Sequence, residues 1–366
     1  MRTLALITPD LFGSHGGISR ITRSTYEAML EFATSSGMRL EVHALHDAMS
    51  ASQSSARVFY HPYAGSRARL AAGVLGMLGS ANVVATVYAH INLATLHTAS
   101  QSPYLVTAHG IEVWSHLTRS RGRALRRAHR VLAVSHHTNR IVCGEHTIDP
   151  LRVRTIHNCL SSNWKTPVAK PANEVILVVT RLGETSEGKR VEDAILAFAH
   201  AKKELGLGAG WKLDIVGDGP MRATYERIAL ETGFGAEIRF FGRVSDDALE
   251  DHYARCAFFS LPSVNEGFGL VFLEAMSHGK AVLAASSGAS PEVVRDGVTG
   301  ILCAPGDIDE LASAYARLAR DEHLRATLGA QARIEVERRF GYAAYRDAIA
   351  RELGALLADS PHGAVA

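Results

Sequence analysis

The sequence has few cysteines, and Cys143, Cys159, Cys256 and Cys303 form no C-x-x-C pair and no ligand-like spacing to histidine. Neither a disulfide framework nor a structural zinc site is expected from them, no metal is expected elsewhere, and a reducing cytoplasm is the expected location. No secretory leader is expected either. Met1–Thr8 is a short apolar stretch stopped by Pro9-Asp10, without the longer apolar region and small-residue cleavage site. Nor is there an unbroken apolar run. The span from Leu70 to Ile111 contains no Asp, Glu, Lys or Arg, and its opening, LAAGVLGMLGSANVVATVYA, approaches bilayer length. Gly73, Gly76, Gly79, Ser80 and Asn82 interrupt it, so the pattern predicts a buried helix, a turn and a strand in preference to a membrane-inserted helix.

What is present is a soluble globular composition. The chain of 366 residues is 47% apolar and 21% charged, which excludes disorder and collagen-like repetition and suits two domains of ordinary size. A net charge of +2 conceals two opposite halves. Residues 1–170 carry 18 Lys and Arg against 8 Asp and Glu, a balance of +10, and the remainder carries 21 against 29, a balance of −8. The basic half is expected to face something anionic.

Short β-rich runs alternate with helical stretches along the chain. TLALIT, LEVHAL, VVATVY, YLVTAH and VLAVS read as strands of one series, and VILVVT, KLDIVG, IRFFG, AFFSLP and AVLAAS as strands of a second. The polar SSNWKTPVAKPAN between them reads as a linker. Strands alternating with helices imply parallel sheets, and two series imply two Rossmann-like, doubly wound α/β domains. The expected division is 1–165, 166–340 and a C-terminal helix in 341–366 that packs back toward the first domain.

Three nucleotide motifs are approached and not completed. Gly183 to Lys189 has the G-x4-G-K core of a phosphate loop, but Arg190 stands where Ser or Thr would hold magnesium, so an ATPase is rejected and Lys189 is kept as a phosphate ligand. Gly217-Asp-Gly219-Pro-Met-Arg222 lacks the third glycine of a dinucleotide fingerprint and reads as a turn beside a nucleotide. Asp307-Ile-Asp309 follows Pro305-Gly306 and reads as a helix N-cap, not a metal pair. The informative stretch is Ser263-Val-Asn-Glu266-Gly-Phe-Gly-Leu270-Val-Phe-Leu-Glu274. The amides of Gly267, Phe268, Gly269 and Leu270 are expected at a helix N-terminus, where a diphosphate can bind. A surface loop complementing the helix dipole would explain Glu266, but not Glu274 within an apolar helix.

This E-x7-E pattern, with GKAVLAASSGASPEVVRDGVTGILCAPGD after it, resembles the retaining glycosyltransferases of family 4, which have the GT-B fold of two domains facing across a cleft. The likeness extends more loosely to Gly16-Gly17-Ile18-x-Arg20, His109-Gly-x-Glu112 and the run ending at Ser135. It implies that Glu274 binds the ribose hydroxyls of a sugar nucleotide, that Glu266 lies near the transferred sugar, and that Arg181 and Lys189 neutralise the diphosphate. It implies that Gly17, Gly217 and Val244 border the donor and that His109 lies beside the sugar. Arg190 replaces the family's usual glycine, and Asn158-Cys-Leu-Ser replaces its N-G-V-D.

The expected enzyme is a metal-independent, retaining hexosyltransferase that needs no cofactor beyond its donor. Mannose from GDP-mannose comes first and glucose or a related sugar from a UDP-sugar next, with a glycan or lipid-linked acceptor of bacterial surface polysaccharide. Arg119, Arg121, Arg123, Arg126, Arg127 and Arg130, with no acidic residue from Val113 to Gly144, suit an anionic membrane at the inner face of the plasma membrane or a solvated helix face. Nucleic acid is not expected, because no binding module or interleaved aromatics accompany them. A sugar-nucleotide epimerase on the same scaffold would need no acceptor. A non-catalytic binding partner would have lost the charged site residues that this chain keeps.

Overall fold

The computed structural model describes residues 1–358 apart from 14–15, 49–53, 98–101, 164–172 and 185–187. Most of the expected linker and Glu187 of the phosphate-loop-like segment lie outside the described residues. The chain divides into two units, Met1–Asn163 with Gly341–Ala366, and Trp164–Phe340.

The first unit holds a seven-stranded parallel sheet in the order β3-β2-β1-β4-β5-β6-β7. Its strands are β1 Thr3–Thr8, β2 Arg39–Ala44, β3 Val58–Pro62, β4 Val83–Tyr88, β5 Tyr104–Ala108, β6 Arg130–Ala133 and β7 Val153–Thr155. The second unit holds a six-stranded parallel sheet, β10-β9-β8-β11-β12-β13. These are β8 Val175–Val179, β9 Lys212–Val216, β10 Ile238–Gly242, β11 Phe258–Leu261, β12 Val282–Ala285 and β13 Gly300–Cys303.

The central strands are buried along their whole length, as in a sheet covered on both faces. In β1 the side chains alternate. Leu4 and Leu6 join a core with Met29, Val42 and Leu353, while Ala5 and Ile7 join another with Val74, Val106 and Leu125. The C-terminal helix Tyr342–Ala358 completes the first of these cores. It packs on the helix Gly17–Ser35, with Ile349, Leu353 and Leu356 buried and the Tyr345 and Thr25 hydroxyls bonded at 2.7 Å.

The charge-free span becomes the helix Arg67–Leu78, β4, a short helix Ile91–Ala94 and β5. No helix among the described residues is long and apolar enough to cross a membrane. Asp307 caps the helix Ile308–Arg320, accepting the Glu310 amide at 2.8 Å. One residue of the basic run departs from expectation. Arg130 opens β6 and faces Glu352 of the C-terminal helix at 3.6 Å, so it does not share the surface of the helix Arg119–Arg127. Strand order reverses between β1 and β4 and between β8 and β11. At such points neighbouring connections diverge and open a crevice at the strand C-termini.

Candidate active site

In the second unit the connections leaving the switch point are those after β8 and β11, and they carry the charged motif residues. Thr180 and Leu182 continue β8 by bonding to the chain after β9. The Thr180 amide donates to the Val216 carbonyl at 3.0 Å, and the Leu182 amide to that of Asp218 at 3.0 Å. Gly217 makes this approach possible. Its φ is +137°, and a Cβ there would lie 1.8 Å from the Thr180 carbonyl oxygen. Arg181, between the two anchored residues, is exposed.

The two switch-point loops are stitched together by one carbonyl. Gly188 accepts the Val264 amide at 2.8 Å and the Ser263 hydroxyl at 3.1 Å. Beside that seam the Lys189 ammonium pairs with the Glu266 carboxylate, both side chains mostly buried. A third loop, after β12, props the carboxylate's backbone. The Ala289 amide donates to the Glu266 carbonyl at 3.0 Å, and the Ser287 hydroxyl to that of Val264 at 2.9 Å.

The helix Leu270–Ser277 begins directly after this loop, its N-cap Gly269 left-handed and offering no side chain. Its first-turn amides therefore point toward the loop without a side-chain cap, an arrangement suited to phosphate oxygens. Phe268 turns its side chain inward. Its ring is buried edge-on against Phe340, centroids 5.7 Å apart, which leaves its backbone rather than its side chain to meet a ligand. Glu274 is buried, and its Oε2 accepts the Tyr253 hydroxyl at 2.8 Å. Val244 lies half-buried in the loop before the helix Asp246–Arg255. Arg190 has a left-handed backbone, φ 54° and ψ 40°, and its guanidinium bonds Asp193 at 2.7 Å. That conformation costs a side-chain-bearing residue about 1–2 kcal/mol and accounts for glycine as the commoner choice there.

In the first unit, Gly17 opens the helix Gly17–Ser35, which has no side-chain N-cap and no acidic residue in its first turn. The loop before it is held by Asp47. That buried carboxylate accepts the amides of Leu11 and Phe12 at 3.0 Å and of Gly13 at 2.9 Å, and also the Tyr60 hydroxyl. His109 follows β5. Its Nε2 donates to the Ala89 carbonyl at 2.7 Å, so in the neutral ring Nδ1 carries the lone pair. Its amide donates to Glu112 at 2.5 Å, and the His90 ring stacks on its own at 6.1 Å. Burial pushes the His90 imidazole below its ordinary value, further helped by His109 and Arg121 and opposed by Glu112.

The family described as glycosyl transferases group 1 matches residues 163–335, nearly the whole second unit. Residues 163–335 are a group 1 glycosyltransferase domain. The chain is 35% identical over 152 residues to N-acetyl-alpha-D-glucosaminyl L-malate synthase of Bacillus anthracis, 42% of this chain and 38% of that one. It is 35% identical over 131 residues to a GDP-mannose-dependent alpha-(1-6)-phosphatidylinositol monomannoside mannosyltransferase of Mycobacterium tuberculosis, 34% of either chain. These matches thus span well under half of the relatives' own length. Structural likeness reaches further. Anabaena Alr3699/HepE, solved with UDP and glucose, superposes over 97% of this chain and 100% of its own, with a TM-score of 0.75 at 20% identity. The lipopolysaccharide outer core galactosyltransferase WaaB superposes over 96% of this chain and 99% of its own, with a TM-score of 0.72 at 19% identity. The fold is GT-B.

Of the glycosyltransferase residues singled out in the sequence, Lys189 and Glu266 are in direct contact. Arg181 and Gly217 are neighbours through Thr180, and Glu274 lies one turn into the helix behind Glu266. Gly17 and His109 belong to the other unit. Sequence pattern alone does not single out Asp47, Tyr253 or Ser287. Ser287 stood in the quoted SSGAS segment, but no local pattern tied Asp47 to the glycine loop more than thirty residues before it.

Proposed function

We propose that this chain transfers a hexosyl group from a nucleotide diphosphate sugar to an acceptor hydroxyl, retaining anomeric configuration. The observation that carries this reading is the convergence of Arg181, Lys189, Glu266 and an uncapped helix N-terminus at the switch point of a group 1 domain. As the bond from the anomeric carbon to the phosphate oxygen breaks, negative charge collects on the diphosphate. Arg181, Lys189 and the amides of Gly269 and Leu270 stabilise it there. Glu266, released from Lys189 when phosphate takes over that ammonium, turns to the hydroxyls of the sugar. Glu274, held on one oxygen by Tyr253, accepts hydrogen bonds from the ribose. The acceptor oxygen attacks the face the phosphate leaves, and its proton passes to a phosphate oxygen. His109 offers Nδ1 to a sugar hydroxyl.

No metal enters this transfer. GDP-mannose is the first donor to test, in keeping with the mycobacterial relative, and UDP-sugars the next, in keeping with HepE. A lipid-linked or glycan acceptor of bacterial surface polysaccharide suits the helix Arg119–Arg127, which exposes Arg119, Arg123, Arg126 and Arg127 and half-exposes Arg121. Those arginines would seat a cytoplasmic enzyme on the anionic inner face of the plasma membrane.

Incubating the purified chain with GDP- and UDP-sugars should give donor hydrolysis or transfer with one of them. Lys189→Ala should lower kcat/KM at least about 100-fold, the scale seen when one transition-state donor is removed, and Glu274→Ala, which removes a charged acceptor of ribose hydroxyls, about 10- to 100-fold. Wild-type rates in both variants would discard the site. An epimerase would convert the donor to its isomer and release no nucleotide diphosphate. Reversing Arg123, Arg126 and Arg127 to Glu should abolish sedimentation with phosphatidylglycerol vesicles, and unchanged sedimentation would make that helix an ordinary solvated face.

A further inference from the structure

The parallel register of β2 with β3 sets His43 opposite His61, and Glu41 lies two residues before His43 on the same face. Three ligand-bearing side chains thereby converge on the two outermost strands at one edge of the first sheet, outside the motifs. The Nε2 atoms of His43 and His61 lie 3.1 and 3.3 Å from one carboxylate oxygen, Oε1 of Glu41. All three atoms fall within 4.8 Å of one another, and the two imidazoles stack with centroids 4.8 Å apart.

A tetrahedral zinc ion with bonds of about 2.0–2.1 Å holds its ligand atoms roughly 3.3–3.4 Å apart. The two nitrogen–oxygen separations are close to two edges of that tetrahedron. The supporting groups fit as well. The Nδ1 of His43 meets the Tyr63 hydroxyl at 2.7 Å. Without an ion, Nε2–H donates to Glu41 and the Tyr63 hydroxyl donates to Nδ1; with an ion on Nε2, the proton moves to Nδ1 and Tyr63 accepts it, the usual outer-shell device of a metal-bound histidine. Tyr63 in turn occupies space left by Gly73. A Cβ on that residue, inside the helix Arg67–Leu78, would lie 2.0 Å from the hydroxyl oxygen. Glycine inside a helix costs about 1 kcal/mol relative to alanine, and here it makes room for the tyrosine. Exposure grades outward, with the His43 side chain 2% exposed, Glu41 24% and His61 42%, so an ion can enter from solvent and keep a water as its fourth ligand.

We propose that Glu41, His43 and His61 form a binding site for a divalent transition metal, zinc fitting best, on the edge of the first sheet. Bound there, the ion cross-links the edge strand β3 to β2. It also holds Tyr60, adjacent to His61, whose hydroxyl is bonded to the Asp47 carboxylate that organises the Leu11–Gly13 amides. The site is structural, and glycosyl transfer is not its readout.

The test uses the full chain stripped with chelator and titrated with zinc by calorimetry, and with cobalt to read coordination from its visible d–d bands. The wild type should take up one zinc per chain with a Kd of micromolar or below, show the intense bands of four-coordinate cobalt, and gain several degrees in Tm at saturating metal. His61→Ala, at an exposed strand edge, and Glu41→Gln should each lose that ion and the gain in Tm. Tyr63→Phe should weaken binding about 10- to 100-fold. Failure of the wild type to bind stoichiometrically, or full binding and an unchanged cobalt spectrum in either ligand variant, would overturn the proposal and leave two histidines hydrogen-bonded to a glutamate.

Discussion

Asp47 illustrates how a decisive residue escapes a reading of linear pattern. It belongs to no motif, yet it satisfies three consecutive loop amides and a tyrosine hydroxyl at once. The loop it holds leads to Gly17, whose place at a helix start was legible because a glycine pair precedes the helical run. Glu266 and Lys189 were legible for a similar reason, each standing in a glycine-bearing loop between a strand and a helix. Their pairing was not, because it spans 77 positions and depends on which strands adjoin. Asp47→Ala would take the charged acceptor from those donors, and hydrogen bonds to a charged group are each worth about 1.5–3 kcal/mol. We expect a loss of about 2–4 kcal/mol in urea unfolding, a smaller loss for Asp47→Asn, which keeps one acceptor, and weaker donor binding in both. A loss below about 0.5 kcal/mol for the alanine variant would mean that the loop holds itself.

At the level of elements, the strands that the sequence hid are β3, β7 and β13, and all three are sheet edges. Central strands are buried on both faces and read as continuous apolar runs, whereas VFYHP, VRT and GILC bury only some of their residues. Missing β3 also hid the meeting of Glu41 and His43 with His61. An expectation of no metal built on cysteine spacing had no access to strand register. The turns were better signalled, because glycine marks them, but their mechanical demands differ. Gly217 faces the Thr180 carbonyl at 1.8 Å from its would-be Cβ, while Gly297, φ 67°, has nothing within 4 Å. Gly297→Ala should cost only the left-handed strain of about 1–2 kcal/mol. Gly217→Ala must in addition push β9 from β8, so its loss should exceed that of Gly297→Ala clearly, by about 2 kcal/mol or more. Equal shifts in thermal melting for the two variants would show that β8 and β9 part at little cost.

The whole molecule is two parallel-sheet units whose opposite charges cancel in the total, and its scattered cysteines offer a way to watch each unit separately. Cys143 and Cys159 lie in the first unit and Cys256 and Cys303 in the second, all as free thiols. Burial pushes Cys159, Cys256 and Cys303 up to about 12, and Cys143, half-buried, upward as well, aided by Asp149. The thiolate is the reactive form, so a thiol held near 12 is ionised to only about one part in ten thousand at pH 8. In the native protein a thiol reagent should therefore modify Cys143 slowly and leave the other three intact, and in strong denaturant it should modify all four. Between these limits the labels become local reporters. Each unit has its own sheet and core, so Cys256 and Cys303 should become reactive together in rising urea, and Cys159 at a midpoint of its own, as peptide mapping after a brief pulse would show. A single shared midpoint for all three would instead mean that the two units unfold as one cooperative body despite their separate cores. Separate midpoints would locate the stabilising effect of zinc at β2 and β3, because only the Cys159 transition should then move with the metal.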